Sequence, residues 1–381
     1  MRRWLTGLLL AIALLSAVWY AEWALREKPA AVSVGSVLGG GDTAGYARVL
    51  GPREFSFPAD HGPHPDYRQE WWYYTGNLTG EDGRHFGFQL TFFRFALTPK
   101  PRPGDSAWST NQIYMAHFAL TDVAARRFYH AERFSRNALG LAGAQAMPFR
   151  VWLEDWSVTG DPNATWPLQL RAVDGDLVLD LRLTNLKPPL LQGERGYSRK
   201  GQSEGNASYY YSLTRMPAEG TLKIADETLQ VSGAAWMDRE WSTSVLEEGQ
   251  AGWDWFALQL ADGRDLMFYR LRRRDGSLDP HSSGVIVAAD GTSRSLPSDA
   301  IGFEVLDHWR SPATGTRYPA RWRVTIPSEQ LRLEIAPRLA EQELDGSLRY
   351  WEGTVKVSGQ SAQQAITGHG YVELVGYGDQ R

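Results

Sequence analysis

The stretch EWWYYTGNLTGEDGRHFGFQLTFFR, Glu70 to Arg94, returns in altered form as GWDWFALQLADGRDLMFYRLR, Gly252 to Arg272. Each copy has a tryptophan pair, an alternating run, an Asp-Gly-Arg turn and a second alternating run. Asp82-Gly83-Arg84 corresponds to Asp262-Gly263-Arg264. The first copy is two residues longer before its turn, and Gly80 and Glu81 are the residues assigned to the excess. Asp-Gly between alternating apolar runs predicts a hairpin with a type I′ turn, because Asp and Gly tolerate positive φ. The repeat therefore predicts two related β domains in tandem, joined near Gly233 to Ser244.

The rest of the chain agrees. His85 to Leu97 and Ile113 to Asp122 alternate, and Pro148 to Gly160 runs extended to a turn. Pro167 to Asn185 reads as a hairpin with Asp174-Gly175 at its tip; Gly220 to Gly233 and Ala320 to Leu339 read as two more. Strands at this spacing with Gly-rich turns indicate a barrel or a sandwich. Helical signal is confined to Arg136 to Met147, with room for one or two turns. Pro188 to Ser212 is polar, then Tyr-rich, and reads either as an ordinary surface excursion or as a lid.

A chain of 381 residues suits two domains of ordinary size. The net charge of −4 gives no electrostatic basis for binding nucleic acid. Cysteine is absent, which excludes disulfides, thiolate metal sites and a lipoprotein anchor. The 16 Trp, 16 Tyr and 14 Phe suit either an aromatic core or a greasy cavity. At the N-terminus, Arg2 and Arg3 precede an apolar run from Leu5 to Ala21. Residues 1–25 read as a signal peptide or a membrane anchor, 26–50 as a flexible tether, 51–240 as the first domain and 241–381 as the second. Trp19, Tyr20 and Trp23 would suit a membrane interface.

The sharpest candidate for chemistry is WMDREW, Trp236 to Trp241. In an extended segment Trp236, Asp238 and Glu240 share one face, and Met237, Arg239 and Trp241 share the other. An acid held among tryptophans is desolvated, its pKa rises, and it can donate a proton at neutral pH. The alternative is an ion pair of Asp238 or Glu240 with an arginine, fastening strands. Asp254, between Trp253 and Trp255, is a second candidate acid. Trp72, Tyr74, Trp236, Trp241, Trp253 and Trp255 are candidate ligand contacts. His117 either faces a cavity or is a satisfied barrel histidine. His61 and His64 lie in a stiff HGPHP turn and make a weak metal site, so neither metal nor cofactor is expected. Phosphate-binding Gly loops and His-Glu-x-x-His are missing.

Four segments, HGPHPDYRQEWWYYTGNL (61–78), WMDREW (236–241), YWEG (350–353) and GHGYVELVGY (368–377), resemble the AttH-like family. Its members are often labelled predicted secreted hydrolases, within the carotenoid 1,2-hydratase (hydroxyneurosporene synthase) superfamily. The resemblance implies an all-β chain of two tandem lipocalin-like antiparallel barrels. For hydratase members it implies protonation of an isoprenoid double bond by an Asp, with water capturing the carbocation beside aromatic rings. Asp238 is the position that fits, although Arg-Glu after it departs from the hydratase motif. Secreted members accompany ABC-type export systems. Three readings follow: a hydratase acting on an isoprenoid or lipid, a periplasmic lipid carrier working with an ABC-type permease, or a partner domain without ligand. Export predicts that a C-terminally tagged protein fractionates with the periplasm or inner membrane; full-length protein recovered from the cytosol would contradict it.

Overall fold

The computed structural model describes residues 43–101, 106–244 and 246–378. The expectations for residues 1–25, and for most of 26–50, lie outside them. Among the described residues there are 23 strands, three short 3-10 turns and no α-helix. The strands form two antiparallel sheets of 13 and 10 strands, curled into a near-barrel and a half-barrel. In the first sheet, strand Gln69–Gly80 lies between His85–Ala96 and Glu227–Ser242, and Ala207–Ile224 flanks the latter. In the second, Gln250–Leu260 lies between Asp265–Arg273 and Gln364–Val375, with Arg349–Ser361 next. The two sheets meet across a polar seam. Tyr73 donates to Glu352 (2.7 Å), Asn77 to the Gly370 carbonyl (3.0 Å) and Thr121 to Gln342 (2.7 Å). Gly87 sits on this seam because a Cβ there would lie 2.5 Å from Thr354.

The repeated hairpins differ from expectation in their turns. Gly83 and Gly263 have φ of 83° and 90°, whereas Asp82 and Asp262 are not left-handed. The Gly83 amide donates to Gly80 (2.9 Å), and the Gly80 amide to Arg84 (2.8 Å). Gly263, Leu260 and Arg264 repeat this at 3.1 and 2.8 Å. These are three-residue loops, a type I turn closed by a left-handed glycine, rather than type I′ turns. Because the loops match residue for residue, Gly80 and Glu81 are not the excess. Counted from the turns, Tyr73 corresponds to Trp253 and Thr75 to Trp255. The tryptophan pairs are therefore offset.

The helical turns expected over Arg136 to Met147 are replaced by strand Ala142–Gln145 and turns. Leu139 and Gly140 are left-handed (φ 52° and 73°), and the Trp152 ring fills the space beside Gly143. At the end of the segment read as tether, Val49 is fully buried and the Ala47 amide bonds to Asp66 (2.9 Å).

The polar centre of the first barrel is Glu70, fully buried between the guanidiniums of Arg94 and Arg239, with the His64 amide on its carboxylate (3.0 Å). Burial alone opposes ionisation. The two guanidiniums and His64 outweigh it and hold the carboxyl far below the usual range. A lowered folded pKa gives stability that is present above the unfolded value, near 4.5, and lost as pH falls below it. Glu70→Ala strands two buried cations, which should cost about 3–5 kcal/mol. Urea unfolding at neutral pH should show a lower midpoint at unchanged slope.

Candidate functional site

Period-two alternation delivers the site. Strand Glu227–Ser242 buries Met237 and Trp241 in the first barrel and turns Trp236, Asp238 and Glu240 toward the second sheet. In strand Gln69–Gly80, Trp72 and Tyr74 enter the same barrel, and Trp71 and Tyr73 face the seam. Tyr73 and Ser212 are the cross-strand neighbours of Asp238. Between the sheets lies a pocket of about 80 Å³. Its walls are aromatic, with Trp71, Tyr73, Phe93, Trp253, Trp255 and Tyr269 prominent. Its polar groups are Asp238, Glu240, Lys200, Tyr210 and Glu373. That volume admits several waters or the functional end of a ligand, and not a whole lipid chain, for which more room was expected.

Asp238 is 4% exposed. Its Oδ1 accepts from Ser212 Oγ (2.6 Å) and Trp236 Nε1 (2.7 Å), and its Oδ2 from Tyr210 OH (2.6 Å). Burial raises its pKa to about 7. The three hydrogen bonds oppose that rise, and the charge of Glu240 adds to it. No cation pairs with it among the described residues. Arg239 points the other way, to Glu70, so the strand-fastening ion pair belongs to Arg239 and Glu70 and not to Asp238. Glu240 accepts from Ser208 and pairs with the Lys200 ammonium at 3.2 Å. Glu373, on the opposite sheet, is pushed up to about 8, mainly by burial. It faces Glu352 directly across its strand pair. Glu352 is also held well above the carboxylate range, by burial and then by Glu373. Two adjacent carboxyls, Glu352 buried and Glu373 half-buried, with no cation between them are favoured in the protonated form. The pocket thus combines acids of raised pKa with one compact ion pair.

The predicted site residues divide. Asp238, Trp253 and Trp255 line the pocket. Trp236 stands behind it, bonded to Asp238 and edge-on to Trp255. His117 is one layer back, bonded to the pocket's Tyr350 (2.6 Å) and to Glu132 (2.9 Å). Trp72, Tyr74 and Trp241 are not at the pocket. They are fully buried core residues on the opposite face, one residue out of phase. Trp72 lies under Arg239 (3.9 Å), and Trp241 stacks on His64 (3.7 Å). Asp254 is also misplaced as an acid. Trp253 and Trp255 face the pocket, so Asp254 faces away, held by Arg272 (2.9 Å) and Tyr377 (2.9 Å). His61 bonds to Tyr211 (2.6 Å) and His64 to Asp60 (3.0 Å). Lys200 and Tyr210 come from the stretch read as a surface excursion or a lid, where the run SYYYS was the available signal. Tyr73 and Glu373 were legible only as alternating neighbours of residues already noted.

A two-sheet lipocalin-like architecture with an acid pocket between the sheets defines the class. The AttH-like family model matches residues 48–377, and the chain belongs to that family. A crystal structure of an AttH protein from Nitrosomonas europaea is 36% identical, with a TM-score of 0.76, over 87% of this chain and 99% of that one. Kievitone hydratase from Nectria haematococca shares the fold at 15% identity and a TM-score of 0.65, over 88% and 98%. The dehydratase asqC of Emericella nidulans is 24% identical over 220 residues, 55% of this chain and 61% of that protein. The likeness to kievitone hydratase is one of fold, and the chain spans less than two thirds of the length of asqC.

The raised Asp238 pKa has a stability consequence. A folded pKa above the unfolded one favours the native state at low pH, and that benefit is lost as pH rises through about 7. In Asp238→Asn the amide oxygen can keep Ser212 and Trp236, and the amide NH₂ can donate to the Tyr210 oxygen. The variant should gain thermal stability relative to wild type between pH 5 and pH 8, read as a growing difference in melting temperature.

Proposed function

We propose that the protein is a hydratase-like enzyme that adds water across a carbon–carbon double bond, or eliminates water from an alcohol to form one, at the end of an apolar isoprenoid- or lipid-like molecule. The observation that carries this reading is Asp238. It is a carboxyl whose pKa is raised to about 7, so that part of it stays protonated near neutral pH, fixed by three hydrogen bonds at the wall of an aromatic pocket. Protonating carbon needs a dry acid in a set position, and both conditions hold there. Asp238 gives its proton to one alkene carbon and water bonds to the other. The water's proton passes to the Glu240 carboxylate, two residues along the same face, and returns to Asp238. Dehydration runs the same steps in reverse. The names of the kievitone hydratase and asqC relatives support this class of reaction, and the apolar N-terminal segment supports an exported protein.

The test is Asp238→Asn assayed with an acyclic isoprenoid in isotope-labelled water. Label should enter the wild-type product, and the rate should fall about 10²–10⁴-fold in the variant, the usual contribution of a general acid. Circular dichroism would confirm the fold. Full activity in Asp238→Asn would sink the assignment. A wild type that binds the probe without turnover would leave a lipid carrier, the protein a permease partner would need.

A further inference from the structure

Lys200 is unused in the steps above, yet it is a built feature of the pocket. Its amide bonds to the Asn206 carbonyl (2.9 Å), and its own carbonyl accepts from Gln250 Nε2 (2.7 Å). The residue is 6% exposed. Its ammonium lies 4.4 Å from the Tyr269 ring centre and 5.0 Å from that of Tyr210. Burial favours loss of its proton, but Glu240 outweighs this and keeps the ammonium charged, with a pKa above its ordinary range. An ammonium has three N–H donors. Glu240 is its one ion-pair or hydrogen-bond partner among the described residues. A nearly buried ammonium therefore keeps unfilled donor capacity at the pocket wall, and a ligand acceptor would use it.

We propose that Lys200 recognises the ligand, and that the ligand carries a neutral carbonyl oxygen conjugated with its reacting double bond: an enone rather than a hydrocarbon alkene. This rests on the hydratase-like reading of the same pocket and names its substrate class. Charge decides between acceptors. Lys200 and Glu240 already cancel, so a carboxylate ligand would leave a buried net negative charge beside Glu240. A carbonyl takes the spare N–H and adds no charge. Charge also decides the route. A carbocation would gain nothing from the spare N–H, whereas an enolate oxygen would accept from it and be stabilised. Water then bonds to the β-carbon as the C=C electrons move to the carbonyl oxygen. Asp238 protonates the α-carbon, and the water's proton returns through Glu240 to Asp238. The net change is addition of one water, and Lys200 stays protonated throughout. The small pocket suits a compact polar end whose apolar remainder lies outward, toward the partly exposed Trp71 and Phe93.

The experiment titrates full-length protein with pseudoionone, an acyclic isoprenoid dienone, and with β-farnesene, an acyclic hydrocarbon, reading pocket tryptophan fluorescence. Wild type should bind the dienone at least about 10-fold more tightly, the range for a hydrogen bond to a charged donor. Lys200→Arg should keep the preference. Lys200→Met should abolish it, and so should Lys200→Met with Glu240→Gln, which removes both charges together and guards against misfolding of the single variant. Equal binding of both probes by wild type, binding of neither, or a preference that survives in the double variant would overturn the inference. The readout is binding, so it is separate from turnover. Dienone preference in a wild type that shows no hydration would defeat the hydratase reading and leave Lys200 as a carbonyl-recognising group.

Discussion

The buried Glu70 carboxylate, clamped by Arg94 and Arg239, is the interaction on which the rest depends. It joins three neighbouring strands and the 61–64 turn, whose Gly62 carbonyl also accepts from Arg239 (2.6 Å). Strand register is a two-state matter, since a slip of one residue turns every side chain to the other face. Arg239 must point into the barrel to meet Glu70. Its neighbours Asp238 and Glu240 must then point out, toward the second sheet. One buried ion pair thus fixes that Asp238 and Glu240 face the seam while Arg239 carries its charge into the core.

The pocket follows a different electrostatic rule from the core. In the core Glu70 has two guanidiniums, and Asp265 has Lys187 (2.6 Å) and Arg215 (2.6 Å). At the seam, Asp238, Glu352 and Glu373 have hydroxyl or indole partners and each other, and their pKa values rise. Desolvation that structure elsewhere neutralises is left standing here, which is where a group able to release a proton near neutral pH is found. The one ammonium in the pocket is matched by the one carboxylate it touches, so the site is nearly neutral and can admit apolar matter.

Much of the scaffold was legible in residue order. The Asp-Gly-Arg repeats, the alternating runs and the hairpins at 167–185 and 320–339 all appear as strands. WMDREW divided into its two faces as alternation requires. The errors share a cause. Trp72, Tyr74 and Trp241 were grouped with the pocket because they are aromatic, although they alternate out of phase with the residues that line it. Asp254 was paired with Asp238 because both neighbour tryptophans, but a residue between two pocket tryptophans must face away. The segment 188–212 looks like surface in one dimension. Only the pairing of Tyr197–Arg199 with strand Ala207–Ile224, and of that strand with Glu227–Ser242, folds Lys200 and Tyr210 inward.

By itself the sequence determined the β class, the tandem repeat, the absence of thiol chemistry and the two faces of each strand, because these follow from local geometry and composition. It could not say which face of each strand would meet the other sheet. That choice is made by contacts between residues far apart in the chain, such as Tyr73 with Glu352 and His117 with Tyr350. The pocket exists only where the two curled sheets leave a gap. Its acids are shifted because both walls exclude water, a property that belongs to the assembled seam and to no single segment.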